Sequence, residues 1–171
     1  AACRQLQRDF PQPAMSLDAL IQKVQAFSKE KMKRSQQLDN LIRACIELIS
    51  PHTPQWEMAA ARFMMIKLRR SVSQRMQQQG IRTLAQKLLY LESQGLINLA
   101  EHYSYNDLNR LEQAIDYDRD QLFNASGLEL LIKRYLIRNH QGEVLELPQE
   151  MFMGIAMHLA IPEGKNRVEW A

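Results

Sequence analysis

Six residues, Leu38, Leu41, Ile42, Cys45, Ile46 and Ile49, recur at positions i, i+3, i+4, i+7, i+8 and i+11. A half-buried strand needs a period of two, so this spacing commits the segment to an amphipathic helix. Similar stripes follow one another along the chain. Leu17, Leu20, Ile21, Val24 and Phe27 form a face beginning at Ser16, and Met58, Ala61, Met65, Leu68 and Val72 form another. Leu84, Leu88 and Leu91 start a third, and Phe152, Ile155, Ala156 and Leu159 are expected to point inward from a last helix. With only six Gly and six Pro in 171 residues, little interrupts these patterns. Abundant Gln, Leu, Met, Lys and Arg favour helix further.

Helix punctuation sits between the stripes. Ser50-Pro51 ends one helix, because proline disfavours helical backbone in the residue before it. Thr53-Pro54 is expected to open the next with a cap residue and a first-turn proline. The run Gln77-Gln78-Gln79-Gly80 marks a break, and Gly95 is expected to close a helix in the left-handed conformation. Ser104 with Asp107 has the form of a capping box for a helix to about residue 114. Asp116 or Asp118 can cap a further helix to about Arg134, and this structural use competes with any catalytic use of Asp116, Asp118 or Asp120. Tyr135–Arg138 and Val144–Leu147 flank Asn139-His140-Gln141-Gly142, which reads as a β-hairpin turn. Pro148 starts the last helix and Pro162 ends it. Residues 1–15, with Pro11 and Pro13, read as an irregular lead-in. The expected fold is therefore mainly α: a multi-helix, orthogonal or bundle-like domain with one small β-hairpin near 135–147.

A chain of this length buries about 70% of its unfolded surface, enough for a real core. No stretch has the 18 or more apolar residues of a membrane span. Arg4, Arg8 and Asp9 interrupt any signal-like start. The chain begins at Ala1 rather than Met, so the natural N-terminus is expected to be absent. Cys3 and Cys45 make neither a disulfide framework nor a metal site, which fits a reduced, cytoplasmic setting. Cys45 sits on an apolar stripe and reads as a small hydrophobe. The histidines, His52, His102, His140 and His158, lie in different elements without ligand spacing, so no metal is expected. Phosphate-cradling glycine loops and nucleophile elbows are missing too. Glu143 and Glu146 form a carboxylate pair on what reads as an exposed hairpin. Lys29, Lys31, Lys33 and Arg34 form one basic cluster; Lys67, Arg69, Arg70 and Arg75 form another. Each reads as a solvated helix face or terminus, or else as a ligand-binding patch. From the residues alone no catalytic group emerges, only a mostly helical domain.

Three ordered blocks add a family resemblance. They are Ile115-Asp116-Tyr117-Asp118-Arg119-Asp120, then Gly127-Leu128 leading to Lys133-Arg134-Tyr135-Leu136-Ile137-Arg138, then Glu146-Leu147-Pro148-Gln149-Glu150-Met151-Phe152-Met153-Gly154-Ile155-Ala156. In that order and spacing they resemble the N-terminal helical region of ribonucleotide reductase large (catalytic, alpha) subunits. Ala44-Cys45-Ile46-Glu47-Leu48-Ile49-Ser50 is similar to the last helix of that family's ATP-cone, and Ala60-Ala61-Arg62 with Leu68-Arg69-Arg70 resembles the first helix after it. The cone's opening strands have no counterpart. The resemblance therefore divides the chain into the lead-in 1–15, a remnant of ATP-cone-like helices at 16–50, and the all-alpha N-terminal domain at 51–171. Asn166-Arg167-Val168-Glu169-Trp170-Ala171 resembles the start of a further helix.

The resemblance implies a parent enzyme, a ribonucleoside-diphosphate reductase, that converts ribonucleotides to deoxyribonucleotides for DNA synthesis by radical chemistry. Its cysteines belong to a barrel beyond this region, so the 171 residues alone are expected to be an inactive scaffold, with no catalytic residue and no bound cofactor. Implied partners are the barrel of the same polypeptide, a second large subunit in a homodimer, and a radical-generating small subunit. The implied effectors are ATP and deoxynucleotides, and the radical generator is a di-metal small subunit or cobalamin. Arg70 falls where the family commonly places a Lys that touches effector phosphates, and Arg is a competent phosphate partner. Arg69 is its companion, and a plain helix-terminal surface role stays open for both. No membrane partner is expected. The alternative is a helical binding module for nucleic acid or an acidic partner using the Lys29–Arg34 cluster, with steeply salt-dependent affinity.

Overall fold

A computed structural model describes residues 15–28 and 32–171. The lead-in up to residue 14, Cys3, Lys29, Lys31 and the side chain of Arg34 lie outside the described residues. The helices are α1 (Leu17–Phe27), α2 (Arg34–Glu47), α3 (Trp56–Gln78), α4 (Leu84–Ser93), α5 (Tyr105–Ala114), α6 (Ala125–Leu130), α7 (Pro148–Ala160) and α8 (Arg167–Trp170). Short 3-10 turns occupy Ala100–His102, Tyr117–Leu122 and Ile161–Asn166, and a π turn at Leu131–Tyr135 follows α6. The architecture is mainly α, as the stripes require. Among the described residues no helix is long and apolar enough to cross a membrane.

The chain divides into two compact units. One holds the described residues up to Leu68 together with Gln121–Leu130; the other holds Arg69–Asp120 and Leu131–Ala171.

In the first unit Ser16 caps α1, its hydroxyl accepting from the Ala19 N–H at 3.2 Å. Leu20, Leu38, Ala44, Cys45, Trp56, Ala59, Ala60, Phe63 and Ala125 form the core. Cys45 is thus a core hydrophobe, while Ile21, Ile46 and Ile49 of the expected stripes stay exposed. Thr53 does not cap α3. Its hydroxyl donates to the Leu48 carbonyl at 2.9 Å, satisfying an orphan acceptor at the end of α2, and α3 starts at Trp56.

In the second unit two glycines end helices as the sequence demands. Gly80 and Gly95 have φ of 72° and 68°, a region an L side chain rarely adopts. Beyond each, the next amide bonds back to the helix: Ile81 to the Met76 carbonyl at 2.9 Å and Leu96 to the Leu91 carbonyl at 3.0 Å. Thr83 and Gln86 cap α4 reciprocally, and Ser104 and Asp107 do the same for α5. The core gathers Leu84, Ala85, Leu88, Leu99, Ala100, Tyr103, Leu108, Leu111 and Met157. The Tyr103 hydroxyl donates to the Met157 carbonyl at 2.6 Å, so its burial leaves no unpaired group.

Three expectations need correction. The hairpin near 135–147 shrinks to one antiparallel bridge, Arg138 with Val144, closed by Asn139 N–H to the Glu143 carbonyl at 3.0 Å. The π turn before it uses up Leu131–Tyr135, leaving too few extended residues for a ladder. The helix ending near Arg134 starts later than expected, at Ala125, and Asn124 caps it by accepting the Gly127 N–H at 2.8 Å. Asp116 instead accepts the Asp118 N–H at 3.0 Å, within a 3-10 turn. Finally, Phe152, Ile155 and Leu159 of α7 point outward, 45%, 50% and 71% exposed. Met157 and Ala160 are buried in their place.

Candidate functional site

The second unit concentrates its buried charge between α4 and α7. Pro148 sits in the first turn of α7, where its missing N–H costs nothing. Two residues later, Glu150 reaches back so that Oε2 accepts the Leu147 N–H at 2.7 Å. Its other oxygen receives Lys87 Nζ at 2.6 Å and the Tyr117 hydroxyl at 3.3 Å. The Lys87 and Glu150 side chains are only 10% and 9% exposed. Burial, and then the Glu150 charge, push the Tyr117 phenol above its ordinary value.

Glu146, four residues earlier and ahead of the helix, is buried as well. Its Oε1 accepts the Ile137 N–H at 2.8 Å. Burial raises its carboxyl to about 7, against the opposing Ile137 hydrogen bond; Glu150 adds to the rise and Lys87 reduces it. The reading of Glu143 and Glu146 as an exposed pair is therefore half right. Glu143 is exposed and pairs with Arg75 at 3.2 Å, whereas Glu146 turns inward. Two concavities meet at this cluster. A cleft of about 1030 Å³ is lined by Arg69, Arg82, Lys87, Glu112, Tyr117 and Glu150, among others. An apolar groove of about 480 Å³ is lined by Leu88, Leu91, Ile97, Tyr135, Ile155 and Leu159, with Glu146 and Glu150 also on its wall.

Arg69 and Arg70 are not brought together. Arg69 faces the cleft, its guanidinium 2.6 Å from Asp120 Oδ2 and 2.8 Å from the Tyr117 carbonyl. Asp120 is buried, and its Oδ1 finds no hydrogen-bond partner among the described residues. Arg70 is exposed and forms no hydrogen bond or ion pair among the described residues. Of the second basic cluster, Lys67 also pairs with Asp39, so it is not a free cationic patch. His102 lies 3.5 Å from Glu101, and His52, His140 and His158 are exposed. Among the described residues no group of three or more His, Cys, Asp or Glu could hold a metal ion.

The residues that sequence reasoning did not single out for this site are Lys87, Tyr117 and Glu150, and Glu146 was assigned to the surface. Two signals were present: a carboxylate at the third position of a helix opened by proline, and a lone acid inside Val144-Leu145-Glu146-Leu147. Chemically the arrangement offers a clamped structural core rather than a nucleophile with a base.

The sequence profile of the family described as "Ribonucleotide reductase, all-alpha domain" matches residues 121–171. The ribonucleoside-diphosphate reductase subunit alpha of Treponema pallidum is 37% identical over 169 residues, 98% of this chain and 20% of that protein. The subunit of the same name from Helicobacter pylori strain 26695 is 32% identical over 149 residues, covering 87% of this chain and 18% of the relative. In Escherichia coli K12 the ribonucleoside-diphosphate reductase 1 subunit alpha is 25% identical over 126 residues, 73% of this chain and 16% of the relative. The chain thus spans about a fifth of the length of the relatives it matches. These likenesses do not favour a free-standing nucleic-acid module.

Proposed function

This chain belongs to the ribonucleotide reductase large-subunit family, corresponding to its N-terminal domain, and from that premise we propose that it braces the catalytic body of a ribonucleoside-diphosphate reductase. One observation carries the reading: the α7 face carrying Ile155 and Leu159 is apolar yet exposed. A contiguous apolar face of this kind marks a contact surface. The reduction itself falls to residues outside this chain, since the second unit offers ion pairs and caps but no thiol; Cys45 lies buried in the first unit's core. The longer protein is an oxidoreductase making deoxyribonucleotides in the cytoplasm, working with a second large subunit, a radical-generating small subunit and nucleotide effectors.

Within this reading residues 16–50 are the ATP-cone remnant and 51–171 the all-alpha domain. Arg70 is the residue available to an effector phosphate, because Arg69 is already committed to Asp120. Calorimetry with ATP and dATP on the chain and on Arg70→Ala tests the assignment: binding lost in the variant supports it, and no binding by the unsubstituted chain ends it. The bracing role is tested by assaying reduction of a ribonucleoside diphosphate. The 171-residue chain should show no turnover, and turnover by it would contradict the proposal.

A further inference from the structure

The groove beside α7 has a chemistry that bracing alone does not require. Leu88, Leu91, Ile97, Ile155 and Leu159 make it apolar, yet two carboxylates, Glu146 and Glu150, share its wall with a single ammonium, Lys87. Lys87 is taken by Glu150 at 2.6 Å. Glu146 is left with a backbone N–H as its hydrogen-bond donor. A buried carboxylate without a cation beside it is costly, and an incoming positive charge would offset that cost. The other ionisable groups along the groove are Tyr135 and His158, both exposed.

We infer that this groove seats an apolar segment of the same polypeptide, outside residues 1–171, that presents one Lys or Arg side chain to Glu146. The inference rests on the bracing reading and deepens it by naming the chemistry of the contact. Charge complementarity selects a cation over an anion or a neutral group. Length supplies the source, since about four-fifths of each of the relatives quoted lies beyond what this chain covers. Ionisation of Glu146 is then coupled to docking. At acid pH the protonated Glu146 carboxyl no longer attracts the cation.

The probe is n-octylammonium, which carries an apolar body and one positive charge, set against n-octanol and octanoate. Each is titrated into the 171-residue chain and followed through the methyl resonances of Leu88, Ile97 and Ile155. At pH 8 the ammonium should bind about tenfold more tightly than the alcohol, and octanoate least. Glu146→Gln should bring ammonium and alcohol within about threefold of each other, as should lowering the unsubstituted chain to pH 5.5. Equal affinities at pH 8, a preference that survives Glu146→Gln, or no shift with any probe overturns the inference. In the longer polypeptide the groove should already be filled and the ammonium excluded. Undiminished binding there removes the proposed occupant, and dimerisation of the 171-residue chain abolished by Glu146→Gln would assign the groove to a second copy instead. The bracing reading fails separately, if the 171-residue chain by itself reduces a ribonucleoside diphosphate.

Discussion

Lys87 on α4 and Glu150 on α7 meet across the second unit with 2.6 Å between Nζ and Oε1. Both side chains are almost wholly removed from water, so this contact is a constraint on how the two helices sit. A pair of this kind contributes little net stability, because desolvation consumes much of the Coulombic gain. Breaking it is another matter.

Lys87→Met should lower unfolding stability by about 3–5 kcal/mol, since Glu150 is left charged and buried without its cation. Lys87→Met with Glu150→Gln should recover a large part of that loss. The amide carries no charge and still accepts the Leu147 N–H. Urea unfolding of the three chains checks this, and a double variant no better than the single would refute it.

The raised Glu146 carboxyl sets a pH dependence of definite sign. Its folded value, about 7, lies above the ordinary 4.5, so the folded chain holds the extra proton between those limits. Stability therefore falls as pH rises from about 4.5 to about 7, by on the order of 3 kcal/mol from this group. Exposed Glu143, held below the usual carboxylate range by Asn139 and then Arg75, acts oppositely and only in acid. Glu146→Gln should flatten the neutral-side slope in urea titrations at pH 5, 6, 7 and 8. Parallel curves for the two chains would contradict the assignment.

Ser104→Ala should cost about 1 kcal/mol by removing the acceptor for the Asp107 N–H at the start of α5. The same change should let the Asp107 carboxyl rise, because the Ser104 hydroxyl is the main cause of its depression. Thermal melts and a carbon-detected titration of Asp107 report the two effects independently.

Arg69 and Arg70 are neighbours in sequence but should behave differently. Arg69→Met orphans the buried Asp120 and should cost about 3 kcal/mol, with Lys a partial substitute lacking the fork geometry. Arg70→Ala should stay within about 0.5 kcal/mol, as exposed substitutions do. Equal effects on urea unfolding would show that the Arg69–Asp120 contact is not what fixes this corner.

Much of this fold could be read from the sequence because its signals are local. Gly80, Gly95, Ser104 with Asp107 and Pro148 each dictate backbone within a few residues, and each acts as expected. What failed was the direction of α7. Phe152, Ile155 and Leu159 make as good an apolar stripe as Met153, Met157 and Ala160, and periodicity cannot tell a face meant for the chain's own core from one meant for something else. Thr53 misled because a hydroxyl between two helices can serve the end of one as readily as the start of the next. The charged cluster was hidden because Lys87, Tyr117 and Glu150 come from three separated segments, and only their packing removes them from water. Arg69 and Arg70 could be singled out by resemblance, but not separated, since which one finds a carboxylate depends on Asp120, 51 residues away.

The most direct test compares one substitution in two settings. Ile155→Asp with Leu159→Asp should change the unfolding stability of the 171-residue chain by less than about 0.5 kcal/mol, because both side chains already face water. In the longer polypeptide the same pair should depress reductase activity at least about tenfold and lower the melting temperature, because there the face is covered. Equal and small effects in both settings would contradict the account.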